Sequence, residues 1–234
     1  GDRTVMALTR VTKTGNITVD GNVGISELNP SHKLHINGGS NDEARVRVTN
    51  TANGQASLDL NNSEGYFRTY TDAGEYRIYD QTDGVHRLVI DTEGRVTMPN
   101  QPSFQTSGTN YTQASGGLST IIPSTQHHNT GGHLNLSQGK FTAPVTGRYK
   151  FSFWGLSYPH PNGLVNYIQF YKNGSAYGDN IQFGGNDDWH QPVAGSIIIE
   201  LNVSDYVTHR YWSNSGGGAK GYAGQWHFGG FLLG

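Results

Sequence analysis

The sequence predicts an all-β protein in two parts, a slender shaft of short hairpin strands followed by a larger β-sandwich. Three observations predict it. Glycine supplies 33 of 234 residues, about twice the usual ~7% share, and β-branched and aromatic residues are plentiful while strong helix formers are sparse. X-Gly pairs punctuate short alternating segments all through the first half, the pattern of tight hairpins. From Phe104 onward the segments lengthen and gain bulk, and all four tryptophans, Trp154, Trp189, Trp212 and Trp226, fall there.

The shaft is expected over residues 1–98. Its turn pairs are Thr14-Gly15, Asp20-Gly21, Glu64-Gly65, Ala73-Gly74, Asp83-Gly84 and Glu93-Gly94. Between them stand NITV, NVGI, KLHI, RVRV, SLDL, EYRIYD, HRLVID and RVTM. Most place two apolar side chains on one face: Ile17 with Val19, Leu34 with Ile36, Val46 with Val48, Leu58 with Leu60, Tyr76 with Ile78, Leu88 with Ile90, Val96 with Met98. A buried apolar side chain contributes ~2 kcal/mol, against ~1–2 kcal/mol for ordering each residue of a thin ribbon. Such a ribbon needs partners. Three copies wound about an axis give each strand a dry interior and a wet exterior, hence a trimeric β-fibre; a monomeric β-domain with a plain core is the other arrangement the pattern allows.

Pro99 and Pro102 bracket residues 99–103, which can neither pair as a central strand nor continue a helix, so this segment is expected as a linker. Residues 1–103 hold 10 of the 16 Lys and Arg and 13 of the 18 Asp and Glu, so charge thins sharply beyond it.

In the head, residues 104–234, GRYKFSFWGLSY alternates Tyr149, Phe151 and Phe153 against Arg148, Lys150 and Ser152. NYIQFYKNGSAYGDNIQF reads as two strands joined at Asn173-Gly174, the strongest short hairpin signal in the chain. GSIIIELN, YVTHRYWSN and QWHFGGFLL follow, with SFQTS, LSTII and GKFTAP in front. About eight to ten strands separated by turn residues argue for two packed sheets.

Composition narrows the function. A formal net charge of -2 leaves no basic field for nucleic acid. With no cysteine, disulfides, thiol chemistry and thiolate zinc sites are excluded. No apolar run approaches the ~18 residues of a membrane span, so membrane insertion is not expected. The opening GDRTVMALTR lacks the apolar core of a signal peptide, and its abruptness suggests a piece of a longer chain.

Two resemblances sharpen the reading. GNVGISELNPSHKLHI, RVRVTNTANGQASLDL, YRIYDQTDG and RLVIDTEGRVTMPNQPSF resemble the shaft segments of bacteriophage tail fibres, over about residues 10–104. GKFTAPVTGRYKFSF, GSIIIELNVSDYV and the final FGGFLLG resemble, in that order, the globular head of the C1q and tumour-necrosis-factor superfamily. Ser204 departs from that pattern, standing where the superfamily usually has glycine before Asp205. The second resemblance implies a jelly-roll protomer in a compact homotrimer, so both parts point to threefold assembly.

Strand parity then locates the loops. Successive strands of an antiparallel sandwich reverse direction, so with strands at 148–156, 165–172, 176–183, 196–201, 206–212 and 225–233 the connections YPHPNG, GGNDDWHQP and NSGGGAKGYAG share one end. The tight KNGS and NVSD share the other. The C1q resemblance puts the C-terminus at the shaft end and leaves the three longer loops at a free tip. Binding residues concentrate on loops held by a rigid scaffold, and Trp and Tyr bury large rigid area at low entropic cost. The candidate receptor-binding residues are therefore Tyr158, His160, Asp187, Asp188, Trp189, His190, Lys220 and Tyr222; packing of Trp189 beneath its own loop is the plainer alternative.

Catalysis is not expected. A glycosidase needs two carboxylates facing across a cleft ~5–9.5 Å wide, whereas Asp187 and Asp188 are consecutive and point apart in extended chain. No G-x-S-x-G, H-E-x-x-H or phosphate loop occurs. No cofactor is expected from the residues themselves. The C1q resemblance implies a possible calcium near the trimer axis, held by acidic residues before the fourth of those strands, where this chain has Gln191 with Asp187 and Asp188 close by. His127-His128 reads as part of a polar loop, most of the ten histidines read as surface residues, and His190 would make binding at the tip pH-sensitive.

The function these features predict is the distal, receptor-binding part of a viral tail fibre. It is homotrimeric and non-enzymatic, resides on the virion outside the cell, and adsorbs to host polysaccharide, lipopolysaccharide or an outer-membrane protein. A bacterial surface or secreted C1q-like adhesive trimer, or a polysaccharide-degrading tail spike, are the alternatives.

Overall fold

In the computed structural model, residues 23–25, 32–36, 43–108, 118–157, 165–184, 191–213 and 225–234 are described. They fall into two compact units, residues 1–56 and 57–234.

The first unit contains two short strands, β1 (Val23–Ile25) and β2 (Leu34–Ile36), paired in parallel with Val23 opposite Leu34. A hairpin would pair them antiparallel, so this pair departs from the expected hairpin pattern. The expected turns at Thr14-Gly15 and Asp20-Gly21, and the segment NITV, lie outside the described residues. RVRV forms no strand: residues 43–50 are unpaired, and Val46 and Val48 are exposed. Alternation alone does not make a strand where no neighbouring strand among the described residues offers a ladder.

Beyond it lies a five-stranded antiparallel sheet in chain order, formed by β3 (Ala56–Asn61), β4 (Tyr66–Asp72), β5 (Glu75–Asp80), β6 (Val85–Ile90) and β7 (Val96–Thr97). The strand β4 was not among the segments expected from the sequence. Its aromatic and polar residues alternate without an aliphatic pair, yet Ala73 (φ 49°) and Gly74 (φ 82°) fold it onto β5 through a tight turn with both central residues left-handed. Register aligns Thr69 with Ile78, Thr71 with Tyr76, Tyr76 with Ile90 and Ile90 with Val96, so these residues share a face. The opposite face mixes charged side chains with rings, among them buried Tyr70. There Arg68 donates to Asp59 at 2.7 Å and Arg77 to Glu75 at 2.5 Å.

The head is a sandwich of two sheets. Its strands are β8 (Ser103–Ser107), β9 (Leu118–Thr120), β10 (Thr125–Thr130), β11 (Leu134–Asn135), β12 (Lys140–Thr142), β13 (Gly147–Ser157), β14 (Val165–Lys172), β15 (Ser175–Gly184), β16 (Gln191–Leu201), β17 (Tyr206–Ser213) and β18 (His227–Leu232). One sheet runs β10-β8-β18-β13-β16; the other runs β11-β12-β17-β14-β15, with β9 also paired to β17. The antiparallel all-β reading holds, and the alternation of GRYKFSF is realised: Tyr149, Phe151 and Phe153 are fully buried between the sheets. They join Phe104, Phe141, Ile168, Phe170, Ile199, Val207, Tyr211 and Phe228 in one core. Phe104 stacks on Phe141 at 5.2 Å and meets the edge of Phe228 at 4.9 Å, the offset and edge-on geometries that aromatic quadrupoles favour.

Two expectations in the head are corrected. His127 and His128 lie in strand β10, not a loop; β10 is an outer strand of its sheet, so it carries no apolar alternation to announce it. And β16 begins at Gln191 rather than residue 196, because β13 offers a ladder reaching Ser157 and the strand lies at the sheet's edge, where Pro192 is tolerated without an amide hydrogen.

Candidate functional site

Strand register defines the two ends of the sandwich. At one end, Ser157 stands opposite Gln191, Val165 opposite Gly184, Asn166 opposite Ser213, and Trp154 opposite His227. The strand termini bounding the three long connections therefore gather at a single end. At the other end Asn173 (φ 51°) and Gly174 turn β14 into β15, and Asp205 organises the neighbouring turn. Asp205 accepts from Asn173 Nδ2 at 2.6 Å and from the Asn202 amide at 2.9 Å, and Lys172 Nζ lies 3.0 Å away. These partners, Asn173 foremost, hold its carboxyl at about 2. The chain enters the head at this same end, since the Leu232 amide donates to the Pro102 carbonyl at 3.0 Å and the Arg148 amide to the Gly234 carbonyl at 2.9 Å.

All eight candidate residues, Tyr158, His160, Asp187, Asp188, Trp189, His190, Lys220 and Tyr222, lie outside the described residues. What the described strands supply is their footing. Tyr211 Oη donates to Asn166 Oδ1 at 2.7 Å in the buried interior just below that end. Beside it a Cβ on Gly155 would stand 2.8 Å from the Trp226 ring and 2.8 Å from the Gln225 carbonyl, so the backbone there packs directly on the indole.

Metal chemistry finds little here. Among the described residues no group of three or more His, Cys, Asp or Glu comes together. Gln191, at the position where the resemblance implies an aspartate, is the first residue of β16 and offers a neutral amide; a hard dication takes its affinity from carboxylates. Asp187 and Asp188, the nearest in sequence, lie outside the described residues.

Sequence reasoning missed a second feature, on the outer face of the β10-β8-β18-β13-β16 sheet. Trp154 and His227 stack with ring centroids 3.6 Å apart and planes 11° apart, and Trp154 keeps 48% of its surface exposed. They line a cleft of about 290 Å3 together with Gln105, His128, Ser152 and Phe231. The signal was present: Trp154 has the parity opposite to buried Phe153.

The sequence profile of the C1q domain matches residues 103–233, more than half of the chain. The chain belongs to the C1q family. No curated protein matches it. Among solved structures, the C1q domain resembles the globular domain of zebrafish complement 1qA protein, at 19% identity and a TM-score of 0.45 over 57% of this chain and 97% of that one. It also resembles murine APRIL, crystallised at pH 5.0, at 11% identity and a TM-score of 0.43 over 57% of this chain and 99% of that one. In this C1q domain the strand that ends the fold, β18, lies centrally between β8 and β13, so the terminal FGGFLL motif is a core element: Phe228 is buried, and Gly230 passes so close to Phe151 that a Cβ there would stand 2.6 Å from its ring.

Proposed function

We propose that this protein is a homotrimeric, extracellular receptor-binding fibre end, with a shaft over residues 1–98 and a C1q head over residues 104–234 whose far-end loops adsorb to a cell surface. C1q domains typically form homotrimers, are typically extracellular and are generally non-enzymatic, which supports the coarse part of this reading. The observation that carries the finer part is the gathering of the strand ends around Ser157, Gln191, Ser213 and His227, opposite the end where Pro102 meets Leu232. A head held at one end and presenting its longest connections at the other is built for contact.

The need for sister copies is supported by what a single copy leaves bare. On the shaft sheet, Leu58, Leu60, Phe67, Tyr76 and Val96 are between 40% and 61% exposed, and covering each contributes roughly 1.5–3 kcal/mol at full burial. On the head, Trp154, Ile198 and Phe231 stand exposed on one sheet face. Three identical ends acting together raise weak contacts to useful avidity.

With its shaft resembling viral tail fibres, the protein fits the distal part of such a fibre on a virion, and the Trp, Tyr, Asp and Asn content of its loops suits host polysaccharide or lipopolysaccharide ahead of an outer-membrane protein. An intact trimer carrying Trp189→Ala and Tyr158→Ala should bind host cells at least ~10-fold more weakly, as loss of aromatic anchors costs more than ~1 kcal/mol each. Unchanged binding would remove the loops from the contact surface.

A further inference from the structure

The outer face of the β10-β8-β18-β13-β16 sheet is unusual in which charges it carries. Along β8 its outward residues are Ser103, Gln105 and Ser107; along β18 they are His227, Gly229 and Phe231; along β16 they are Ala194, Ser196, Ile198 and Glu200. On β13 they are Arg148, Lys150, Ser152 and Trp154, with Arg148 directly across from Glu200. Glu200 is thus the sole carboxylate on this face among the described residues, and it sits at the shaft-side end. The far end carries three histidines instead. His227 lies across from Trp154 and Ser107, His127 Nε2 is 2.8 Å from Ser107 Oγ, and His128 pairs with Gln105 and lines the same cleft as Trp154 and His227.

We propose that His227, within this histidine cluster, makes assembly of the trimer proton-sensitive, with the face sealing against a sister copy when that ring is neutral and opening when it is charged. The proposal rests on the trimeric reading above and on this sheet face being the one that sister copies cover. Three observations support it. His227 Nδ1 is buried and has no hydrogen-bond partner, so a proton added there becomes a donor with no acceptor, a costly arrangement. Burial and, after it, the charge of neighbouring His127 hold the His227 ring below the ordinary imidazole range. And among the described residues of β8, β18, β13 and β10 no carboxylate shares this face with His227: its polar groups are Ser103, Gln105, Ser107, Thr125, Thr130 and Ser152, and the next charges along β13, Lys150 and Arg148, are themselves positive. Among the described residues no anion balances a proton here, the Trp154 face alone offers it partial stabilisation, and covering the ring with another copy desolvates it further.

Acidification from pH 8 to 5 favours whichever state solvates a protonated His227 better, and a free copy does so better than a sealed face. A tenfold preference of the assembled state for the neutral ring in each of three copies multiplies to ~1,000-fold in the trimer's dissociation constant, or ~30-fold in its dissociation concentration, over that range. Sedimentation of the full chain, with near-ultraviolet circular dichroism recorded at each pH, tests this. The wild type is expected to be trimeric at pH 8 and to dissociate at a higher protein concentration at pH 5, while a His227→Gln variant shows no such shift. A wild type whose dissociation concentration is the same at both pH values, a variant that shifts in step with it, or dissociation that coincides with loss of the aromatic dichroism signal overturns the proposal. A wild type already monomeric at pH 8 overturns the trimeric reading beneath it.

Discussion

His209 packs against Phe228 deep between the two sheets, their ring centroids 4.2 Å apart. Phe153 stacks on its other side at 6.0 Å, and its Nδ1 has no partner. Burial pushes this imidazole down to about 3. An unfolded chain takes up that proton near pH 6.5, so the folded state is disfavoured as pH falls from 6.5 toward 3, and the stability is fully present above 6.5. Chemical denaturation at pH 7 and pH 4.5 should differ by about 2–3 kcal/mol from this one group. In a His209→Leu variant that part of the difference should vanish; an unchanged pH slope contradicts the buried, neutral histidine.

Ser204 adopts φ 72°, a left-handed conformation that costs a non-glycine residue roughly 1–2 kcal/mol. It is kept there because its amide donates to the Ala143 carbonyl at 2.8 Å and the Asp205 turn depends on it. Ser204→Gly removes the steric cost and adds unfolded-state entropy, with an expected net gain of about 0.5–1 kcal/mol in urea denaturation. A loss would show that the serine side chain does more than the backbone demands.

Gly155 sits against the Trp226 ring and the Gln225 carbonyl, with no room for a methyl group. Gly155→Ala forces a backbone shift below the gathered strand ends and should cost about 1–3 kcal/mol, the usual range for overpacking. Denaturation midpoints check the stability. Host-cell binding by the same variant should fall as well, since the loops lose their footing.

Phe231 is 45% exposed in the single copy, so its charge-bearing replacement leaves the fold of one copy intact. In a trimer closed over that face it is buried. Phe231→Glu should therefore raise the trimer's dissociation concentration, read by size-exclusion chromatography over a range of protein concentrations with circular dichroism. An unchanged dissociation concentration would place the head contact elsewhere.

Much of this molecule was legible before any coordinates. The alternation at Tyr149, Phe151 and Phe153 located the core because a strand has only two faces, and Asn173-Gly174 located a turn because few other pairs accept two left-handed residues. Strand parity was enough to group the three long connections. Legibility failed where a strand lacks one dry side: β10 is polar along its length and read as a loop, β4 hides its apolar share in aromatic rings, and RVRV has the right alternation but no partner strand among the described residues. The Trp154–His227 stack was half legible. Parity exposes Trp154, but its neighbour lies across a ladder to a strand over 70 residues away.

The central claim is that this chain assembles in threes to cover the bare faces of its shaft and head. Light scattering on the full chain at pH 8 tests it most directly: a mass three times that of one chain is the predicted result, and a stable mass of one chain would contradict the account.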